Sequence, residues 1–92
     1  MKIGKYNYKK STQKGKKLSV VVNNKTIHFG NSNSKQFKDK TGIWKKLDHN
    51  DEKRRQNYLR RSAGIKDKNG KLTKNNPNSA NYHARRILWD SN

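Results

Sequence analysis

The chain has no cysteine, a single proline, and only six acidic residues among 92. Without cysteine there is no disulfide framework, no zinc ribbon and no thiol nucleophile. No glycine cluster precedes a predicted helix, so a phosphate-cradling loop is absent too. No stretch approaches the roughly 18 consecutive apolar residues of a membrane span. The beginning of the chain lacks the apolar core of a signal peptide, which points to the cell interior or a packaged particle. Apolar residues make up just 27% of the sequence, a composition that leaves little to bury. A partner is therefore expected to help order the chain, and the isolated protein at low salt is expected to be partly unfolded. What is abundant is positive charge: 24 Lys and Arg give a formal net charge of +18. Such an excess calls for a polyanionic partner, foremost nucleic acid. An anionic membrane surface fits less well, because neither predicted helix sets a broad apolar face against its charges.

Residues 1–17 hold seven lysines and no acid or arginine, with Gly4 and Gly15 discouraging regular structure. They read as an extended basic arm, either a solvated tail or a phosphate-tracking segment whose Tyr6 and Tyr8 stack on bases or fill a partner's groove. Residues 18–92 read as a small α+β domain, a hairpin with or without a further short strand and two short helices packed on its apolar face. Its clearest element is a hairpin, Leu18–Val22 and Lys25–Phe29, turning at Asn23-Asn24 because asparagine tolerates positive φ. That register pairs Val20 with Ile27 and Leu18 with Phe29 on one face. Ser19, Val21, Thr26 and His28 lie on the other, where His28 reads as a cross-strand hydrogen-bonding residue. Residues 31–47 read as a polar loop turning at Thr41-Gly42, with Phe37 and Trp44 capping the hairpin's apolar face.

From Asp48 the pattern becomes helical. Capping residues and first-turn acids lead into a basic run that stops at Gly64, predicting a helix over residues 50–63. Lys53, Arg54, Asn57, Arg60 and Arg61 share an arc of about 120°, opposite a thin face of Tyr58 and Leu59. Asp51 and Arg55 stand four apart, the spacing of a helical ion pair. Asp67-Lys68-Asn69-Gly70 marks a turn between Ile65 and Leu72, either a second short hairpin or a loop. A second helix is expected after Pro77, capped by Asn76, Asn78 or Ser79. Ala80, His83, Ala84, Ile87 and Leu88 form its apolar stripe. Tyr82, Arg85, Arg86 and Trp89 lie opposite, as a contact surface or with Trp89 folded back onto the core.

Leu47-Asp48-His49-Asn50 resembles the opening of an HNH nuclease motif, in which the histidine is a general base beside a metal ion. The next histidine is His83, distant in sequence and on an apolar stripe, so a complete metal site is not expected. Binding is the better reading. All six arginines fall in the two predicted helices, whereas the first 30 residues carry eight lysines and no arginine. Lysine on a flexible segment is a mobile point charge; arginine on a helix is a fixed fork suited to phosphate or carboxylate.

Lys25-Thr-Ile-His-Phe-Gly30, His49-x-Asp51-Glu52 leading into Arg54-Arg55-x-x-Tyr58-x-x-Arg61, Pro77-x-Ser79-Ala80 and Leu88-Trp89 form an ordered set of blocks over residues 18–90. In that order they resemble a family of small basic proteins of unknown function encoded by large DNA viruses of eukaryotes and by some tailed phages. The resemblance implies a viral setting. The function expected is a non-enzymatic virion component (minor capsid, cement or portal-associated) bridging packaged genome and acidic capsid or portal surfaces. A nucleic-acid binder outside the virion, ribosome-associated or DNA-compacting, is the alternative, and a nuclease a more distant one. The residues expected to meet the partner are Lys9, Lys10, Lys16, Lys17, Lys53, Arg54, Arg60, Arg61, Arg85, Arg86 and Trp89. No cofactor, metal, membrane or small-molecule substrate is expected.

Overall fold

Alternation of β-branched residues with polar ones between Lys16 and Asn31 builds the centre of the fold. In the computed structural model, which describes residues 1–91, β3 (Lys16–Val22) and β4 (Lys25–Asn31) form the expected hairpin. Leu18 pairs with Phe29, Ser19 with His28, Val20 with Ile27 and Val21 with Thr26. Asn23 and Asn24 both adopt positive φ, 51° and 65°, the geometry of a primed turn that matches the twist of its strands. His28 bonds across the sheet through Nδ1 to the Ser11 hydroxyl at 2.8 Å.

The first 17 residues are not an arm. β1 (Lys2–Ile3) and β2 (Tyr6–Lys10) extend the hairpin into a four-stranded antiparallel sheet in the order β1-β2-β3-β4. Tyr8 lies opposite Val20 and is buried. It stands edge-on to Phe29, with ring centroids 5.8 Å apart. The amino-terminal ammonium donates to the Tyr8 carbonyl at 2.6 Å, and the Tyr8 amide to the Met1 carbonyl at 2.8 Å. Tyr6 and Tyr8 share the inner face at period two, and Asn7 between them and Lys9 beyond point outward.

α2 (Ala80–Ile87) lies across the inner face of this sheet, capped by Ser79, whose hydroxyl accepts from the Asn81 amide. Its His83, Ala84 and Ile87, with Leu88 just beyond, are buried as the stripe predicts, while Ala80 is exposed at the first turn. They close a core made of Tyr8, Leu18, Val20, Val22, Ile27 and Phe29. Gly30 is required where this closure is tightest. Its φ is +80°, and a Cβ there would meet Leu88 Cδ1 at 2.9 Å.

α1 (Glu52–Ser62) packs on α2 rather than directly on the sheet, a departure from the two-helices-on-one-face arrangement expected. Its thin apolar face suffices because the contact is largely one ring pair: Tyr58 stacks on Trp89 with centroids 4.1 Å apart and planes 8° from parallel. Trp89 is thus folded inward and half-buried. The Asp51 carboxylate caps α1 by accepting from the Lys53 and Arg54 amides. Arg55 consequently pairs not with Asp51 but with Glu52, at 3.1 Å.

The loop between β4 and α1 is pinned by polar groups more than by its aromatics. Trp44 packs against the core and donates its indole N–H to the Lys17 carbonyl at 2.8 Å. Phe37 instead faces His49 and the Arg55 guanidinium, because the loop turns it toward α1. Between the helices, Lys66 and Leu72 form a single antiparallel bridge around the turn at Gly70, so the second hairpin reduces to a loop.

Candidate nucleic-acid interface

Every one of the six acids is engaged inside the molecule. Asp39, buried, accepts from the Thr41 amide and hydroxyl and from the Trp44 amide. Asp48 accepts from Gln36 and from the Asp39 amide. Asp51 caps α1, and Asp67 closes its turn by accepting from the Asn69 and Lys71 amides. Glu52 pairs with Arg55, and Asp90 with Lys40 at 3.0 Å, a contact that holds the Asp90 carboxyl below its usual range. Among the described residues only Lys40, Arg54 and Arg55 are ion-paired, out of 24 cations. The remaining charge has no internal counter-ion, so any polyanion brought to this surface releases its own counter-ions against it.

The expected binding residues separate into three groups. Lys53, Arg54, Arg60 and Arg61 are exposed along α1, and Lys9, Lys10 and Lys16 are exposed on the sheet. Lys9 and Lys10 border an open groove on the outer sheet face with His28, and the Lys10 ammonium also lies over the Trp44 ring at 5.5 Å. Apart from Arg54, which pairs with Asp51 at 3.7 Å, these side chains are free to meet a partner.

Lys17, Arg85 and Arg86 serve the fold instead. Lys17 is 1% exposed. Its ammonium donates to the Ser34 carbonyl and the Gln36 side-chain oxygen, linking to the Gln36–Asp48 pair. Burial lowers its pKa to about 8 even though the Asp39 and Asp48 carboxylates pull the other way. Arg85 reaches across to α1 and donates to the Leu59 carbonyl and the Ser62 hydroxyl, both at 2.6 Å. A cation there satisfies the terminal carbonyls of α1 and complements its dipole. Arg86 donates to the Tyr82 hydroxyl and lies over that ring at 5.1 Å. Arg55, on the thin face of α1, reciprocates at the end of α2 by donating to the Trp89 and Asp90 carbonyls.

One cleft gathers residues from both halves of the chain. It has a volume of about 440 Å³ and lies between the end of the β3–β4 hairpin and the two helices. Lys16, Lys35 and Arg61 line it together with Asn31 and Ser34, over a floor of Gly30, Ala84 and Leu88. Tyr58 and Trp89 make one wall. Lys16, Arg61 and Trp89 were legible as binding residues; Lys35, Asn31, Ser34 and Tyr58 were not, since nothing in a polar loop or a lone helical tyrosine distinguishes them.

The HNH-like segment is divided between two tasks. Asp48 turns inward to Gln36, while His49 Nδ1 accepts from the Asp51 amide at 2.9 Å and so steadies the entry to α1. That bond leaves the ring proton on Nε2, which is buried without a partner beside Trp89. Burial and Arg54 lower the His49 pKa. Among the described residues no three His, Asp or Glu side chains converge on a point where a metal ion would sit. His83, fully buried, donates from Nε2 to the Pro77 carbonyl and accepts the Tyr8 hydroxyl proton at Nδ1. Desolvation keeps it neutral, and pushes Tyr8 up to about 12.

Comparison with family models, with curated proteins and with solved structures finds no match for this chain.

Proposed function

We propose that the protein is a non-enzymatic nucleic-acid-binding component of a virion, which uses its charge to hold packaged genome against acidic protein surfaces. The observation that carries this reading is the disposal of the acids. All six are spent on caps, turns and internal pairs; the exposed Asp51 and Glu52 stand at the entry to α1, which leaves positive charge unopposed on the sheet and along the rest of α1. Exposed lysines on strands supply sequence-independent neutralisation, and the fixed guanidinium groups of α1 supply forked phosphate contacts. The viral setting is supported by the resemblance of the sequence blocks and by the need of a packaged genome for such neutralisation.

The test is the salt dependence of binding. If about 6–8 cations contact phosphates, log affinity for duplex DNA falls against log salt with a slope of roughly −5 to −7. A slope near zero removes nucleic acid as the principal partner. Preference among duplex sequences is expected to be slight, because the exposed arginines are not accompanied by the Asn or Gln spacing that reads base edges. Recovery of the chain with purified, disrupted particles rather than with ribosomes or bulk cellular DNA tests the setting.

A further inference from the structure

We propose that the cleft between the hairpin end and the helices holds one unpaired nucleotide of a single strand, its phosphate at Lys16, Lys35 and Arg61 and its base on the Tyr58–Trp89 wall. This rests on the nucleic-acid reading and specifies the form of nucleic acid and the site.

The chemistry of the lining points that way. A volume of about 440 Å³ falls within the usual size of small-ligand sites, about 300–1,000 Å³. A base pair within a duplex cannot enter such a recess, but a single extruded nucleotide can. No carboxylate lines the cleft, while four basic residues do; Lys17 spends its ammonium on Ser34 and Gln36, which leaves Lys16, Lys35 and Arg61 to a ligand. Its floor is apolar, so a ligand that is anionic at one end and flat and weakly polar at the other fits both parts.

The wall is set before any ligand arrives. Tyr58 and Trp89 are stacked on each other at 4.1 Å, and His49 backs Trp89 at 5.3 Å. The Arg61 guanidinium lies over Tyr58 at 5.8 Å, so cation and rings form one unit. Groups already ordered lose little entropy on binding; with Trp89 stacked on Tyr58 and Arg61 over it, the pair meets a base by its ring edges and the guanidinium. Lys35 and Arg61 are exposed and make no ion pair among the described residues, which leaves them available to phosphate.

The experiment compares two double variants of the full chain that lose equal charge. Lys35→Gln/Arg61→Gln removes cations from the cleft. Lys45→Gln/Lys46→Gln removes exposed cations beside Ile43 and Trp44, away from it. Fluorescence anisotropy is read with a labelled ten-nucleotide oligothymidylate, a duplex of the same length and a polyglutamate peptide, each at fixed salt, after circular dichroism has shown both variants folded. The cleft variant is expected to lose more than about tenfold in affinity for the single strand. The control variant is expected to lose about threefold or less on the same strand. On the duplex the two variants are expected to weaken alike. Equal losses on the single strand overturn the cleft site while leaving nucleic-acid binding intact. Binding of polyglutamate as tight as that of the oligonucleotide, weakened by the cleft variant alone, assigns the cleft to an acidic protein segment instead. Absence of binding to either nucleic acid overturns both this proposal and the function on which it rests.

Discussion

The two helices carry arginine pairs that look alike in sequence and do opposite things. On α2, Arg85 is drawn across to the last carbonyls of α1 and Arg86 folds onto Tyr82. On α1, Arg60 and Arg61 stay exposed, Arg61 over the edge of the cleft at Tyr58, and only Arg55 is drawn across to another helix. The difference comes from what each helix faces. α2 has its buried side pressed on the sheet and its flank against α1, so its long side chains find helix ends within reach. α1 touches the rest of the molecule along one strip, and most of its circumference has nothing but water to address. A guanidinium within reach of helix-end carbonyls becomes structural, and one facing water stays available to a partner.

Exchanging charge for a short side chain breaks this comparison most forcefully on α2. Arg85→Ala removes the charged donor shared by the Leu59 carbonyl and the Ser62 hydroxyl, although the Leu59 carbonyl keeps the Ala63 amide, and is expected to cost about 2–4 kcal/mol, since bonds to a charged donor carry roughly 1.5–3 each and do not add fully. Arg60→Ala, on the open side of α1, is expected to stay within about 0.5 kcal/mol. Urea denaturation reads both, and equal costs would show that the helices do not divide the work.

The pH dependence of stability sharpens the same contrast. His83 on α2 and His49 before α1 have folded pKa values below 6.5, chiefly from burial. The unfolded chain therefore binds more protons below that pH, and stability falls as pH drops through the range just under 6.5. Denaturation midpoints at pH 7.5 and 5.5 check the sign, and His83→Gln is expected to flatten the difference. At the alkaline end, Lys17 at about 8 when folded makes stability rise between pH 8 and 10, because the unfolded state holds the extra proton there.

Smaller effects are expected at the entry to α1. Asp51→Ala removes the cap and is expected to cost about 0.5–2 kcal/mol. His49→Ala loses the bond to the Asp51 amide and the ring's contacts with Phe37 and Trp89, and is expected to cost about 0.5–2 kcal/mol. Neither the unmutated protein nor this variant is expected to nick plasmid with magnesium, manganese or zinc. Metal-dependent nicking that disappears in His49→Ala would overturn the binding reading.

Much of the frame was legible because local rules suffice for it. Alternation from Leu18 to Phe29 and the Asn23-Asn24 turn specify the hairpin and its register, and periodicity with Ser79 specifies α2. The first two strands were not legible. Only Ile3, Tyr6 and Tyr8 mark their inner face, and lysine at the outward positions looks the same in a strand as in a tail. Lys17 is one residue from the exposed Lys16, and what buries it, Ser34 and Gln36, comes from a loop with no pattern of its own. Arg85 meets its acceptors 23 and 26 residues away, a distance at which helical spacing says nothing. The cleft suffers most from this, since it exists only where the loop, hairpin end and both helices meet.

The division between the helices is tested most directly by the salt dependence of duplex DNA binding in Arg60→Gln/Arg61→Gln beside the unmutated protein. The slope is expected to be shallower by about two units, close to 0.9 for each phosphate that is no longer neutralised, with the urea midpoint essentially unchanged. An unchanged slope, or a fall in stability comparable to that of Arg85→Ala, would contradict this division of work.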